Sequence, residues 1–308
     1  MPSEQSPENH NKSRPEKPIN LADAYKRALE VIGRHSLKLR SFTNRDGSNR
    51  ETIEDDLKMV ANKKEEFAKK AASKTEWGRA QDIEWEMLSK CLEAAFLERV
   101  NGNSWLGKGV RLIKLSDYDD IENGLDFVLE FNVDDKSQLN PFLGIDITYH
   151  HDPSDKFRTV KGRIDRSKLG TVKYFRNYDN TSKKSISNLP IAVIVISAEG
   201  AERIVRDWHL NSPQAESFGK IILEQLEMQM AVYRNYAKGI EVAAKKGKKP
   251  FVVSRFFEGV RANIVAQLQD ISNSTETRQR EKDSSLKLVR DNLTRVFMPE
   301  ITQNDKIP

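Results

Sequence analysis

One cysteine, Cys91, stands in a chain of 308 residues, so no disulfide can form within it. Neighboured by Leu88, Leu92 and Ala95, it is expected to pack as a small buried hydrophobe. Long apolar runs are missing too: none approaches the about 18 residues that read as a membrane span. The stretch from Met1 to Lys17 is polar and lacks the apolar segment of a secretory signal, which leaves a cytoplasmic protein as the expectation. There is no glycine-rich phosphate loop, no serine-centred elbow and no CxxC pair, which argues against nucleotide hydrolases, serine hydrolases and thioredoxin-like redox proteins. The chain has no internal repeat.

What the chain has in quantity is charge. It is 31% charged against 37% hydrophobic, with a net charge of +5, a mild basic excess that suits a polyanionic partner. Polar residues 1–18 form an expected disordered leader. Residues 19–75 are a helical N-terminal extension. Asn20 is placed to cap a helix bearing Leu21, Tyr25, Ala28, Leu29 and Ile32 and ended by Gly33, and Glu51–Ser73 follows with a solvated charged face. After an interruption at Gly78, Arg79–Val100 has the broadest apolar stripe in the chain, stopped at Asn101–Asn103.

An α/β core of residues 76–240 is then expected: a mixed sheet with helices on its faces and helical extensions at both ends. Val110–Leu115 is a predicted strand, followed by an acidic turn at Asp117–Asp120. Gly124–Phe131 and Phe142–Tyr149 alternate with a period of two, the pattern of half-buried strands, and the polar link between them is compatible with a hairpin. A helix opens at Pro153 and closes at Gly170, with Thr171–Phe175 as the next strand and Asn177–Asn188 as a loop. Leu189–Ser197 is almost continuously apolar, as expected of a central strand covered on both faces. Two helices, Ala198–Leu210 and Pro213–Lys238, complete the core. Residues 241–308 supply a basic hinge, Lys245–Lys249, and further helices. The last of these carries Leu286, Val289, Leu293, Val296 and Phe297 and is suited either to dock on the body or to form a homodimer.

The chemistry-bearing residues lie on the two alternating strands. Asp126 and Asp146 are twenty positions apart and fall on one sheet face if the strands are adjacent. Carboxylates flanked by large apolar residues are costly to leave unpaired, and a divalent metal is one way to hold them. Salt bridges to Arg111, Lys114 or Lys173 are the alternative. Glu93, at the edge of the long helix's stripe, is placed to reach the same ion through a water. Glu130 is an expected ion-pair partner, and Asp120 either orders the site or makes the turn. His150 and His151 are expected at an exposed strand end, with no further Cys or His at zinc-ligand spacing.

A leading helix with Glu93, Asp126 on one strand, Asp146 two positions before the polar Thr148 on the next, then a helix and a strand, resembles the PD-(D/E)xK superfamily of restriction-endonuclease-like nucleases. Asp119–Phe127, Gly144–Thr148 and Leu169–Phe175 are also similar to uncharacterised bacterial proteins near that superfamily. The likeness spans about residues 85–235. It implies a Mg2+ (or Mn2+) dependent nuclease acting on nucleic acid, DNA favoured. Asp126 would be the metal-binding Asp, Asp146 the (D/E) of the motif and Glu93 the helix carboxylate. Thr148 departs from the pattern, standing where the superfamily has lysine, and a hydroxyl brings no positive charge. Lys156 and Lys161, on the following helix, are the candidates to replace it. Without either, the chain would be a catalytically inactive nuclease-fold protein that binds nucleic acid or acts as a scaffold.

Overall fold

The structure is a computed structural model that describes residues 19–44, 46–131, 141–149, 152–178, 183–212, 216–243, 253–272 and 279–298. It is a mixed α/β protein. The leader, the link between the two alternating strands, His150, His151 and the Lys245–Lys249 hinge lie outside the described residues.

Helix α1 (Leu21–His35) begins where expected, with the Asn20 side chain accepting from the Asp23 amide. It runs through Gly33 and ends at Ser36, whose amide returns to the Ile32 carbonyl. Helix α2 (Arg50–Ala72) is followed by α3 (Glu76–Asn103), which starts before Gly78 rather than after it. The Thr75 hydroxyl accepts from the Gly78 amide, so this glycine lies in a capped first turn and interrupts nothing. The C-terminal half of α3 is buried from Cys91 to Leu97, while its N-terminal half exposes Trp77, Ile83 and Trp85.

Strand β1 (Val110–Lys114) leads to Asp117–Asn123, which forms a short helix, α4, where a turn was expected. Ser116 caps it, and Gly124 ends it at φ +63°, a left-handed conformation that costs glycine little. Buried Asp119 accepts from the Ser116 hydroxyl, the Asn123 amide and the backbone amides of Lys173 and Tyr174. Strand β2 (Phe127–Phe131) pairs antiparallel with both β1 and β3 (Phe142–Thr148). Helix α5 (Ser154–Asp165) follows, and then β4 (Gly170–Arg176) pairs with β5 (Lys183–Leu189) in a separate two-stranded sheet. Gly170 thus opens a strand instead of closing a helix, and part of the expected polar loop is β5. The long apolar run is split at Pro190, which has no N–H for a ladder: Leu189 ends β5 and Ile191 begins β6 (Ile191–Val195). Strand β6 runs parallel to β3, giving the sheet order β1-β2-β3-β6.

Strand β6 is buried but is an edge of its sheet, not a central strand. Helices α6 (Ala198–His209) and α7 (Glu216–Ala243) follow it, and α7 closes that edge. Gln225 accepts from the Val195 amide at 3.1 Å and donates to the Val195 carbonyl at 2.9 Å. Gln229 does the same for Val193, at 2.9 and 2.8 Å. The opposite edge has the same device: the Asn101 amide of α3 meets both the N–H and the carbonyl of Leu112 at 2.8 Å. Primary amides one helical turn apart substitute for a missing strand and satisfy buried backbone groups that would otherwise be costly.

Helices α8 (Ser254–Ser272) and α9 (Gln279–Phe297) are not separate from this body. The apolar face of α9, from Leu286 to Phe297, joins one continuous core with the sheet and with α1, α3, α5 and α7. Gly219 of α7 sits so close to the chain after α3 that a Cβ there would lie 1.9 Å from the Trp105 carbonyl oxygen. Among the described residues, no helix is long and apolar enough to cross a membrane.

Candidate active site

Asp126 immediately precedes β2 and is already held in the sheet, its amide donating to the Ile145 carbonyl at 3.0 Å and its carbonyl accepting from Leu115 at 3.1 Å. The β2–β3 ladder ends at Phe127–Ile145, one residue short of both Asp126 and Asp146, and the hydrogen bond from the Asp126 amide to Ile145 marks an irregularity in the register there. The Asp126 carboxylate also accepts from the Ile147 amide at 2.8 Å. The two carboxylates thus lie at the same end of adjacent strands, near enough for the charge of Asp146 to disfavour that of Asp126. Burial pushes the Asp126 carboxyl up to about 7, against the pull of Lys114 and with a further push from Glu93, Asp146 and Asp120. Burial also raises Asp146, opposed by the Lys156 ammonium.

Glu93, from the buried half of α3, joins the cluster through Lys114 of β1. Lys114 Nζ stands 2.8 Å from Glu93, 3.6 Å from Asp120 and 4.0 Å from Asp126, and Lys90 contacts the other Glu93 oxygen at 2.7 Å. Burial alone would raise Glu93, but Lys114 and Lys90 outweigh it and hold the carboxyl below its ordinary range. Burial likewise works against the Lys114 charge, yet Glu93, Asp126 and Asp120 keep it protonated. The close Lys114–Glu93 approach is poorly angled, and neither Lys114 Nζ nor Glu93 Oε2 makes a well-aligned hydrogen bond.

Helix α5 brings Lys156 onto Asp146 as a direct ion pair. The chain end of the molecule positions that helix. The Ser154 hydroxyl donates to Asn292 of α9 at 2.9 Å, and Asp152, which caps the Ser154 amide, pairs with Arg295 of α9 at 2.6 Å. Thr148 is buried two residues beyond Asp146, and its carbonyl accepts from Ile196. Lys161 is one turn further along α5 and is not brought to the carboxylates; it pairs with Asp165 at 3.1 Å and lies over the Tyr236 ring.

Of the alternative cations weighed for the two aspartates, only Lys114 approaches them. Arg111 lies over Tyr178, and Lys173 pairs with Asp56 of α2. Glu130 accepts from the Tyr178 amide. The sequence offered two partial signals for the central role of Lys114: a lysine at the end of a mostly apolar strand, and a glutamate on a helix face that turns out to be buried. Neither reveals that the two side chains meet.

Among the described residues, no group of three or more Asp, Glu, His or Cys forms a ready-made metal cage. The donor set suits a less enclosed ion. Glu93, Asp120, Asp126 and Asp146 outnumber Lys90, Lys114 and Lys156 by one, and the neighbouring carboxylates are hard oxygen donors. Mg2+ commonly takes one or two carboxylates and completes its shell with water and substrate oxygens. The residues present are compatible with it: Asp126 and Asp146 are the ones that would hold such an ion, with Glu93 behind them.

Beside Lys156 opens a cleft of about 350 Å³. Trp85, Glu86 and Ser89 of α3 form one wall, Thr148 and Tyr149 the other, and Lys156 links the cleft to Asp146. The Tyr149 hydroxyl donates to the Trp85 carbonyl at 2.7 Å, tying the two walls together.

Comparison with protein-family models, with curated proteins and with solved structures finds no match to this chain.

Proposed function

We propose that this protein is a metal-dependent nuclease that hydrolyses phosphodiester bonds of nucleic acid, DNA favoured, on a PD-(D/E)xK-like core. The observation that carries this reading is the meeting of Asp126, Asp146 and Lys156. Two neighbouring carboxylates, both driven towards protonation by burial, lie beside an ammonium that comes from the next helix. Part of the order of elements supports it: α3 with Glu93, the antiparallel β1-β2-β3 and then α5 follow the order that the resemblance implies. The strand expected next, Thr171–Phe175, is β4 of the separate two-stranded sheet, and β6, after β5, is the strand that runs parallel to β3.

The chemistry follows from charge. Bound Mg2+ (or Mn2+) offsets negative charge on the phosphate and lowers the pKa of an attacking water. Asp126 and Asp146 would hold the ion, and Glu93 keeps Lys114 charged behind them. Lys156 takes the part of the lysine that Thr148 replaces: its half-exposed side chain brings positive charge to the phosphate as charge builds up in the transition state. Thr148 offers a hydroxyl on the same strand.

A second reading is favoured by Lys114. Its buried ammonium among three carboxylates is an internal counter-ion, which lets the cluster serve as a structural ion-pair network in a protein that binds nucleic acid without cutting it. Cleavage of labelled single-stranded, duplex and branched DNA and of RNA, with Mg2+, Mn2+ or EDTA, separates the two. Metal-dependent cutting that Asp146→Ala abolishes is the result expected of the nuclease. Binding without cutting on every substrate would establish the second reading.

A further inference from the structure

We infer that the cleft beside Lys156 is a nucleobase site in which Trp85 stacks on a base displaced from its neighbours, so that the substrate is single-stranded or locally opened nucleic acid. The inference rests on the nuclease reading only in taking the carboxylate cluster as the place where the phosphodiester sits.

Four observations carry it. The Trp85 side chain is large, lines the cleft and is 42% exposed, although it belongs to a helix whose later residues are fully buried. Exposed tryptophan of this size is costly to leave facing water and offers a flat surface suited to a base. The second is the tie between the two walls. The backbone carbonyl of Trp85 accepts the Tyr149 hydroxyl, and Tyr149 directly follows the strand that carries Asp146, which links the helix bearing the ring to that strand.

Size is the third observation. At about 350 Å³ the cleft lies near the lower end of the roughly 300–1,000 Å³ found for small-molecule sites, room for one nucleotide but not for a stacked duplex. A base within a duplex has both faces covered by its neighbours, and therefore meets Trp85 only after unstacking. Polar lining groups are the fourth. Glu86 and Ser89 give the cleft a carboxylate acceptor and a hydroxyl suited to the amino and imino groups of a base. Lys156 also lines the cleft and pairs with Asp146, so a nucleotide with its base against Trp85 would have its phosphate next to the lysine and the two aspartates.

The test is binding of fluorescent oligothymidylate of about ten nucleotides to the full chain in EDTA, where no cleavage can occur. A blunt duplex of the same length serves as the second probe. Wild type is compared with Trp85→Ala and Trp85→Phe, and each variant is checked for an unchanged thermal midpoint. The expected result is that the single strand binds better than the duplex and that Trp85→Ala weakens single-strand binding by about 5- to 100-fold, the range of one base–aromatic stack. Trp85→Phe should recover most of it. Equal single-strand affinity in wild type and Trp85→Ala would overturn the site, as would a wild type that binds no single strand at low salt. A failure of the nuclease reading looks different: base binding would persist with its Trp85 dependence, and no metal would produce cutting.

Discussion

The carboxyl of Asp126 makes the stability of this protein fall as pH rises, and Asp126→Asn should remove that dependence. In the unfolded chain the group titrates near its ordinary 3.8; in the folded protein burial, reinforced by Glu93, Asp146 and Asp120, lifts it to about 7. A raised carboxyl means that the folded state holds a proton which the unfolded state has already released. Stability associated with Asp126 is therefore fully present below about pH 4, declines between about pH 4 and 7, and is lost above. At about 1.4 kcal/mol per pH unit, the span from 3.8 to about 7 amounts to about 4 kcal/mol at most.

Asparagine keeps an oxygen to accept the Ile147 amide but has no charge to bury. Whatever fixed cost it incurs beside Lys114 does not vary with pH. The assay is urea unfolding of wild type and Asp126→Asn in EDTA at several values from about pH 4 to 8, with the difference in unfolding free energy plotted against pH. The variant should gain on the wild type by several kcal/mol across that range, with most of the change below about pH 7. Parallel curves would refute the reasoning, since they would mean that Asp126 ionises in the fold as readily as in water. If the nuclease reading holds, Mg2+ should restore stability to the wild type at high pH and leave Asp126→Asn unaffected, because a ligand that binds only the folded state stabilises it.

Further expectations rest on other parts of the structure. Lys156→Ala should reduce cleavage by about a hundred- to a thousand-fold, the usual cost of removing one charge-stabilising donor, while its thermal midpoint moves little because the side chain is half-exposed. Gln229→Leu should destabilise the fold by about 2–4 kcal/mol, since it leaves the buried N–H and carbonyl of Val193 without their partners. Chemical denaturation measures it, and a loss under about 0.5 kcal/mol would mean that the edge of β6 does not depend on the glutamine pair. Asp119→Ala should cost about 3 kcal/mol by orphaning the amides of Lys173 and Tyr174, and hydrogen exchange at these two amides should speed up. Gly219→Ala should lower stability by about 1–3 kcal/mol, because the added methyl meets the backbone carbonyl of Trp105 at 1.9 Å and α7 must shift.

Much of the local structure was determined by the sequence alone. Apolar spacing marked α1, α3, α6, α7 and α9, and period-two alternation marked β2 and β3, because these patterns follow directly from 3.6 and 2 residues per repeat. The Asn20 cap is local chemistry and was equally legible. Asp126 and Asp146 stood out because a carboxylate between large apolar residues is anomalous wherever the strands go. Errors came where one local signal competed with another. Gly78 and Gly33 lie in helices that capping and tertiary packing sustain, and Gly170 starts a strand because β5 is there to pair with it. Pro190 divides one apolar run between two sheets, and no periodicity shows which side belongs to which.

Tertiary structure decided everything that depends on contacts distant in sequence. That Lys156, and not Lys161, meets Asp146 depends on the angle at which α5 leaves β3, and that angle is held by Asn292 and Arg295 more than a hundred residues away. The partnership of Lys114 with Glu93 depends on α3 crossing β1, and the bond that ties α3 to the end of β3 depends on the Tyr149 hydroxyl reaching the Trp85 carbonyl. Sequence patterns report how each segment divides its surface between water and core. Which buried charges become neighbours is settled only when those surfaces pack, because a charge inside a core is tolerated only where another element brings its counter-charge.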